Sequence, residues 1–378
     1  MRFYIIAGEA SGDLHAANLL KEIKKLDTGF HARGWGGDLM AAEGVHIVKH
    51  FRDLAFMGFI EVIANLRTIL KNIEYCKKDI LDFRPDALIL VDYPGFNLRI
   101  AEFASKAGLK VIYYISPQIW AWKQSRVHHI KKYVENMLVI LPFEKAFYEK
   151  FGYKVNFVGH PLLDAVRNRK ESIKHDWKTK HNLSNKPIVA LLPGSRRQEI
   201  STMLPLMLSV INDFPDYQFV VGAAPSVPAV VYDQLIKDTL VKVIHGETYE
   251  LIEQSYAALV TSGTATLETA LFNVPEVVCY KGSLISYHIA RQLIKIKFIS
   301  LVNLIMDREI VTELIQGELN RERLVEELKK ITVDTPNRNL MLENFKTLQQ
   351  QLGGPGASER AAKLIMETVN QSPHTPST

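Results

Sequence analysis

The sequence predicts an α/β protein built as two doubly wound halves, each a parallel sheet with helices on both faces, facing one another across a cleft. Three observations carry this. Short apolar runs alternate with longer segments of helical period, the pattern of parallel sheets covered by helices. The alternation occurs in two series, separated by RNRKESIKHDWKTKHNLSNKP (167–187), which is polar, charged and closed by a proline. The length of 378 residues suits two domains of ordinary size rather than one.

Strands of the first series are expected near 2–7, 87–91, 110–115, 137–141 and 155–158. Those of the second are expected near 187–192, 218–222, 241–244, 257–260 and 276–280. After 330 the pattern is mainly helical, and QLGGPGASERAAKLI (351–365) reads as a Gly/Pro hinge leading into a helix with Ser358 near its cap. The expected division is therefore 1–170, 186–345, and a helix over 351–370 that packs back on the first domain. The end, NQSPHTPST, is expected to be disordered.

Composition narrows the classes. Apolar residues make up 47% and charged residues 23%, ordinary for a soluble globular chain. The net charge of +5 is too small to point to nucleic acid and suits an anionic substrate or an anionic membrane surface. Cys76 and Cys279 stand far apart in no metal-ligand spacing and read as reduced thiols. No export signal is visible at the N-terminus, and runs such as ALILV (87–91) are strand-sized, far short of the roughly 18 residues of a membrane span.

The chemistry-bearing stretches follow strand ends. AGEASGDLHAANLL (7–20) is strand, glycine loop and helix, with Ala16, Leu19, Leu20 and Ile23 at the spacing of a helix packed on the sheet. Its loop offers Glu9, Ser11, Gly12, Asp13 and His15; from pattern alone the histidine is either a ligand contact or a partly exposed polar residue. RPDALILVDYPGFNLRIAEFA (84–104) sets Asp92 at the carboxyl end of a buried strand, where open α/β sheets bind ligands, with Asn97 near the next helix start. That carboxylate suits general base work, or it simply caps a turn.

In the second half, IVALLPGSRRQEI (188–200) places Gly194, Ser195 and Arg196 at a turn whose N–H groups suit a phosphate, or else form a surface turn with a solvated arginine. TSGTATLETAL (261–271) tips this balance toward phosphate: Ser262, Gly263, Thr264 and Ala265 open a helix onto a second such turn, and Glu268 is placed to take ribose hydroxyls. Two stretches are amphipathic and basic, FMGFIEVIANLRTILKNIEYCKK (56–78) and SYHIARQLIKIKF (286–298). Such a stripe is usually the core face of a helix, while the apolar spill-over and nearby lysines of the first add weight to lying on an anionic bilayer. Trp120 and Trp122, beside a basic run, are either interface anchors or buried aromatics. No metal-ligand pattern, G-x-x-x-x-G-K-[ST] loop or G-x-S-x-G elbow occurs.

These motifs together resemble the lipid-A-disaccharide synthase family. The resemblance rests on AGEASGDLHAANLL, GWGGDLM (34–40), MGFIEVI (57–63), VDYPGFN (91–97), SPQIWAWKQSR (116–126), LPFEKAFYEKFGYKVNFVGHPLLD (141–164), LLPGSRRQE (191–199), SGTATLE (262–268) and ISLVNLI (299–305), and so spans nearly the whole chain. It implies the GT-B architecture of two facing Rossmann-like domains. It also implies transfer from UDP-2,3-diacylglucosamine to 2,3-diacylglucosamine 1-phosphate, giving a β(1→6) disaccharide and UDP with inversion and with no metal or other cofactor; the alternatives are a UDP-N-acetylglucosamine 2-epimerase-like enzyme and a non-catalytic nucleotide- or lipid-binding module.

On that basis Asp92, Arg196 and Asn303 are the expected catalytic residues, Asn303 matching a family position near the donor. Gly194, Ser195, Arg196, Ser262, Gly263, Thr264, Ala265 and Glu268 would bind the UDP-sugar. Glu9, Ser11, Gly12, Asp13, His15 and Asn97 would bind the acceptor. Phe56, Met57, Phe59, Ile60, Ile63 and Leu66 would meet the membrane or acyl chains on the cytoplasmic face of the inner membrane. No nucleic acid is expected, and a homodimer is left open. One departure stands out: the family often has a second acid where this chain has Gly95, so no role for such an acid carries over.

Overall fold

The computed structural model describes residues 1–54, 66–170, 177–282, 297–333 and 336–371. It divides into two compact units, one of residues 1–164 together with those from Leu352 onward, the other of Ala165–Gln351.

The first unit holds a parallel sheet of β1 (Arg2–Ala7), β2 (His31–Gly36), β3 (His46–His50), β4 (Ala87–Val91), β5 (Lys110–Tyr114), β6 (Asn136–Val139) and β7 (Asn156–Phe157), in the order β3-β2-β1-β4-β5-β6-β7. The second holds β8 (Ile188–Leu192), β9 (Gln218–Ala223), β10 (Lys242–His245), β11 (Ser255–Thr261), β12 (Glu276–Tyr280) and β13 (Thr312–Ile315), in the order β10-β9-β8-β11-β12-β13. Every pairing among the described residues is parallel. Both orders reverse direction beside the first strand of their unit, the doubly wound arrangement.

Central strands are apolar along their whole length because helices cover both faces: ALILV of β4 and IVALL of β8 are buried at every residue. Three strands escape the sequence pattern. β2 (HARGWG) contains glycines, β3 (HIVKH) is polar at the sheet edge, and β13 (TELI) is short and carries an acid. At Gly34 a side chain is impossible, since a Cβ there would fall 1.9 Å from the Ile5 carbonyl oxygen.

The helix Ala10–Leu26 buries Ala16, Leu19, Leu20 and Ile23, as the spacing predicts, and ends on Lys24 and Lys25, which suit its negative pole. The final helix, Ala357–Asn370, belongs to the first unit. Asp164 caps it, its carboxylate accepting from Gly356 N at 2.5 Å and Ser358 N at 2.9 Å. Ala361, Ala362 and Ile365 are fully buried on its inner face, and it packs against Ala10–Leu26. Lys110 Nζ reaches back to the carbonyls of Thr368 and Val369 at 2.8 and 3.0 Å. Cys76 and Cys279 are both free and buried.

Candidate functional site

Each sheet has one point where connections leave in opposite directions: β1/β4 in the first unit and β8/β11 in the second. Ligands of doubly wound sheets bind there, outside the carboxyl ends of the strands. Ala7 pairs with Val91, so Gly8 and Asp92 leave the first sheet side by side. Leu192 pairs with Val260, which brings the 193–196 and 262–265 turns together at the edge of the second.

In the first unit the chain turns abruptly after β4. Asp92 and Tyr93 both adopt left-handed backbone, with φ of +45° and +50°. Two such non-glycine residues in succession cost free energy that the surroundings must offset. The offset is visible: Asp92 N donates to Tyr114 O at 3.2 Å, and Asp92 O accepts from the Tyr113 hydroxyl at 2.5 Å and from Asn97 Nδ2 at 2.8 Å. Tyr93 lies over Gly8, where a Cβ would come within 2.3 Å of the ring, so only glycine fits.

The Asp92 carboxyl is partly exposed, yet burial by surrounding protein atoms and the nearby Glu9 charge push its pKa up to about 6. It is a carboxylate at neutral pH with usable basicity. Glu9 and Ser11 are exposed beside it, and Gly12 sits against Ala7.

Three residues expected on the acceptor are buried in the fold. Asn97 is fully buried beneath the turn, its amide held by the Asp92 carbonyl and, at 3.3 Å, that of Val91. The Asp13 carboxylate is buried and accepts from the N–H groups of Gly37, Leu39 and Met40 at 2.8 to 3.1 Å, capping the short helix Asp38–Ala42. His15 is buried, and desolvation drives its pKa down to about 4, against the opposing pull of Asp164; it is neutral at physiological pH. The tertiary hydrogen bonds of Asp13 and Asn97 leave no mark in the local pattern, which records only that the residues are polar. Gly95 is exposed, and a side chain there would meet nothing within 4 Å.

In the second unit, Gly194 has φ of +112° and Arg196 caps the helix Arg197–Leu208. Glu199 folds back over the turn, accepting from Ser195 N at 3.0 Å and from Arg196 Nη1 at 3.2 Å. Arg196 itself is largely exposed. The companion turn is open. A Cβ on Gly263 would meet nothing closer than 4.0 Å, and the N–H groups of Thr264 and Ala265, at the start of the helix Thr264–Leu271, donate to no acceptor among the described residues. The Ser262 hydroxyl holds Ile299 O at 3.0 Å. Glu268 is no surface glutamate: burial raises its pKa, while the Tyr249 hydroxyl, donating at 2.9 Å, opposes the rise.

Asn303, expected to be catalytic, is fully buried and all its hydrogen-bonding positions are used. Oδ1 accepts from Ile310 N and Val311 N at 2.7 and 3.0 Å, and Nδ2 donates to Val311 O and Glu313 Oε1 at 2.8 and 2.9 Å. Its side chain is committed to the residues that lead into and form β13. The Glu313 carboxylate, which sequence reasoning missed, also accepts from Ile299 N, Ser300 N and the Ser300 hydroxyl at 2.8 to 2.9 Å. Its one signal is an acid inside a short apolar strand. Asn303 and Glu313 thus fix the loop that Ser262 touches.

Phe56, Met57, Phe59, Ile60 and Ile63 lie outside the described residues, as does most of 286–298. Leu66 opens the helix Leu66–Phe83, on which Ile73 is buried while Leu70 is half exposed. No helix among the described residues is long and apolar enough to cross a membrane.

The family described as lipid-A-disaccharide synthetase matches residues 3–365. The chain belongs to the lipid-A-disaccharide synthase family. It is 40% identical to the lipid-A-disaccharide synthase of Syntrophus aciditrophicus over 97% of this chain and 98% of that one. It is also 37% identical to that of Myxococcus xanthus, over 97% of each. Members of this family are hexosyltransferases of lipid A biosynthesis, and this chain is one of them. Solved structures of similar fold include a UDP-GlcNAc 2-epimerase from Neisseria meningitidis (TM-score 0.67, 14% identity, 97% of this chain and 100% of that one). The calicheamicin glycosyltransferase CalG4 also matches (TM-score 0.61, 14% identity, 98% and 99%). At such identity they establish the shared glycosyltransferase–epimerase fold alone. An epimerase-like activity, the other enzymatic reading of such a fold, is not favoured, because the relatives near 40% identity are synthases.

Proposed function

We propose that this chain joins UDP-2,3-diacylglucosamine to 2,3-diacylglucosamine 1-phosphate, forming the β(1→6) disaccharide 1-phosphate and releasing UDP. The observation that carries the proposal is Asp92: a basic carboxylate held rigidly on a strained turn at the switch point of its sheet. In a single displacement the acceptor 6-hydroxyl oxygen attacks the donor anomeric carbon. The bond from that carbon to the diphosphate oxygen breaks, its electron pair leaves with UDP, and Asp92 takes the hydroxyl proton. The configuration inverts.

Charge developing on UDP is met by the N–H groups of Thr264 and Ala265 and by Arg196, once the guanidinium exchanges its exposed Glu199 partner for phosphate. Glu268, one oxygen already oriented by Tyr249, holds the ribose. Gly194, Ser195 and Ser262 shape the two turns. Glu9, Ser11 and Gly12 border the acceptor. The decisive experiment is mass spectrometry of the product from the two acylated substrates; absence of the disaccharide, or turnover of unacylated UDP-N-acetylglucosamine in its place, overturns the assignment.

Arg196→Ala is expected to raise the Kd for UDP by about 10- to 100-fold, the loss of a charge-assisted hydrogen bond. Unchanged affinity by titration calorimetry removes Arg196 from the donor site.

The same reading places the chain on the anionic cytoplasmic face of the inner membrane, with 56–66 as the contact. Half-exposed Leu70 beside exposed Arg67 and Lys71 supports it. Replacing Phe56, Phe59 and Ile60 by serine should reduce flotation with anionic liposomes, and an unaltered profile refutes the contact.

A further inference from the structure

The acceptor in this reaction carries a phosphate, and the loop beside Asp92 has no cation to receive it. From Gly8 to His15 the loop holds Glu9 and Asp13 but neither lysine nor arginine, and His15 is buried and neutral. Arg52, at the exit of β3, is paired with Asp38 at 3.1 Å. A phosphate near Asp92 therefore needs charge from elsewhere on the same sheet edge.

The exit of β5, the strand next to β4, supplies it. Ile115 follows β5 with φ of +66°, a conformation a β-branched side chain rarely adopts, so the redirection of the chain here is imposed by its surroundings. The Ser116 hydroxyl is held by Tyr148 at 2.8 Å, Ile119 is buried, and Trp120 packs edge-on against Phe143 at 4.9 Å. These anchors bring Trp122 out half exposed. Lys123 Nζ stands 4.6 Å from the centre of its ring and the Arg126 guanidinium carbon 5.4 Å. Neither cation has a carboxylate partner among the described residues. Arg126 also acts electrostatically on Tyr113, the residue whose hydroxyl holds the Asp92 carbonyl at 2.5 Å.

We infer that Arg126 and Lys123, stationed on the face of Trp122, form the subsite that takes the phosphate of the acceptor sugar. This rests on the assignment of Asp92 to the acceptor reaction. Two cations with no carboxylate partner among the described residues, preorganised by one aromatic ring, suit a phosphomonoester better than the acidic opening loop does.

The test compares 2,3-diacylglucosamine 1-phosphate with the same lipid lacking the phosphate, using the full chain. The native protein should prefer the phosphorylated acceptor. Arg126→Ala should raise KM for it by about tenfold or more and erase the preference. Its kcat should stay within a few-fold and its UDP affinity, by calorimetry, should not change. Arg126→Lys should restore part of the preference, and Lys123→Ala, at an exposed position, should weaken it with no threat to folding.

A preserved preference in both alanine variants, an equal KM rise for both acceptors, or a loss of UDP affinity overturns the subsite. So does reduced flotation on anionic vesicles with discrimination intact, which would make the patch a membrane contact. If the native protein forms no disaccharide from either acceptor, the reaction assignment itself fails. An active native protein whose variants are indifferent to phosphate sinks the subsite alone.

Discussion

Asp92→Asn should lower kcat/KM by about two to four orders of magnitude, the usual contribution of a positioned general base, with UDP affinity little changed. The substitution is conformationally mild. Asp92 sits at φ of +45°, and asparagine tolerates left-handed backbone as readily as aspartate does. The hydrogen bonds that hold the turn are to the Asp92 main chain, so they survive. What disappears is the proton acceptor.

The pH dependence follows from the same site. Burial and the Glu9 charge raise the Asp92 pKa to about 6, and the base works only when deprotonated. Activity should therefore rise with pH through about 6 and level off above it. Glu9→Gln removes the like charge and should move that rise toward lower pH. A normal rate for Asp92→Asn, or a pH profile flat from 5 to 8, would show that Asp92 is not the base.

Asn303→Ala should act on stability rather than on chemistry. It strips acceptors from the buried N–H groups of Ile310 and Val311 and removes the donor to Val311 O and Glu313. Buried groups left unsatisfied cost about 1–3 kcal/mol each before relaxation, so a net loss of about 2–4 kcal/mol is expected. For a unit of this size that lowers the melting temperature by roughly 5–15 °C. Turnover measured well below the transition should fall far less than in Asp92→Asn. An unchanged melting temperature with abolished turnover would return Asn303 to direct contact with substrate.

Much of the protein was legible in the chain. The buried strands β1, β4, β5, β8 and β12 announce themselves as apolar runs, because a strand covered on both faces has no polar side. The inner face of Ala10–Leu26 is readable from its spacing for the same reason. Edge strands β3 and β13 are not, since one flank is uncovered and their composition is free to be polar. At the site, the positions of Asp92, Gly194 and Gly263 follow from strand–turn–helix order, which fixes where residues stand along a sheet edge.

Side-chain commitments are another matter. Asp13, Asn97 and Asn303 look like ligand contacts because they are polar and lie beside the site, yet each is turned inward to satisfy backbone groups, in one case 91 residues away. Glu313 shows no sign of its four hydrogen bonds until β13 is laid beside β12.

The sequence by itself determined the two doubly wound halves, the family and the strand ends where chemistry gathers. Those properties are written in local periodicity and in short ordered motifs. Only the tertiary structure decided which polar residues are consumed by the fold. A buried donor or acceptor must find its partner wherever the folded chain presents one, and that distance in sequence is not encoded near the residue itself.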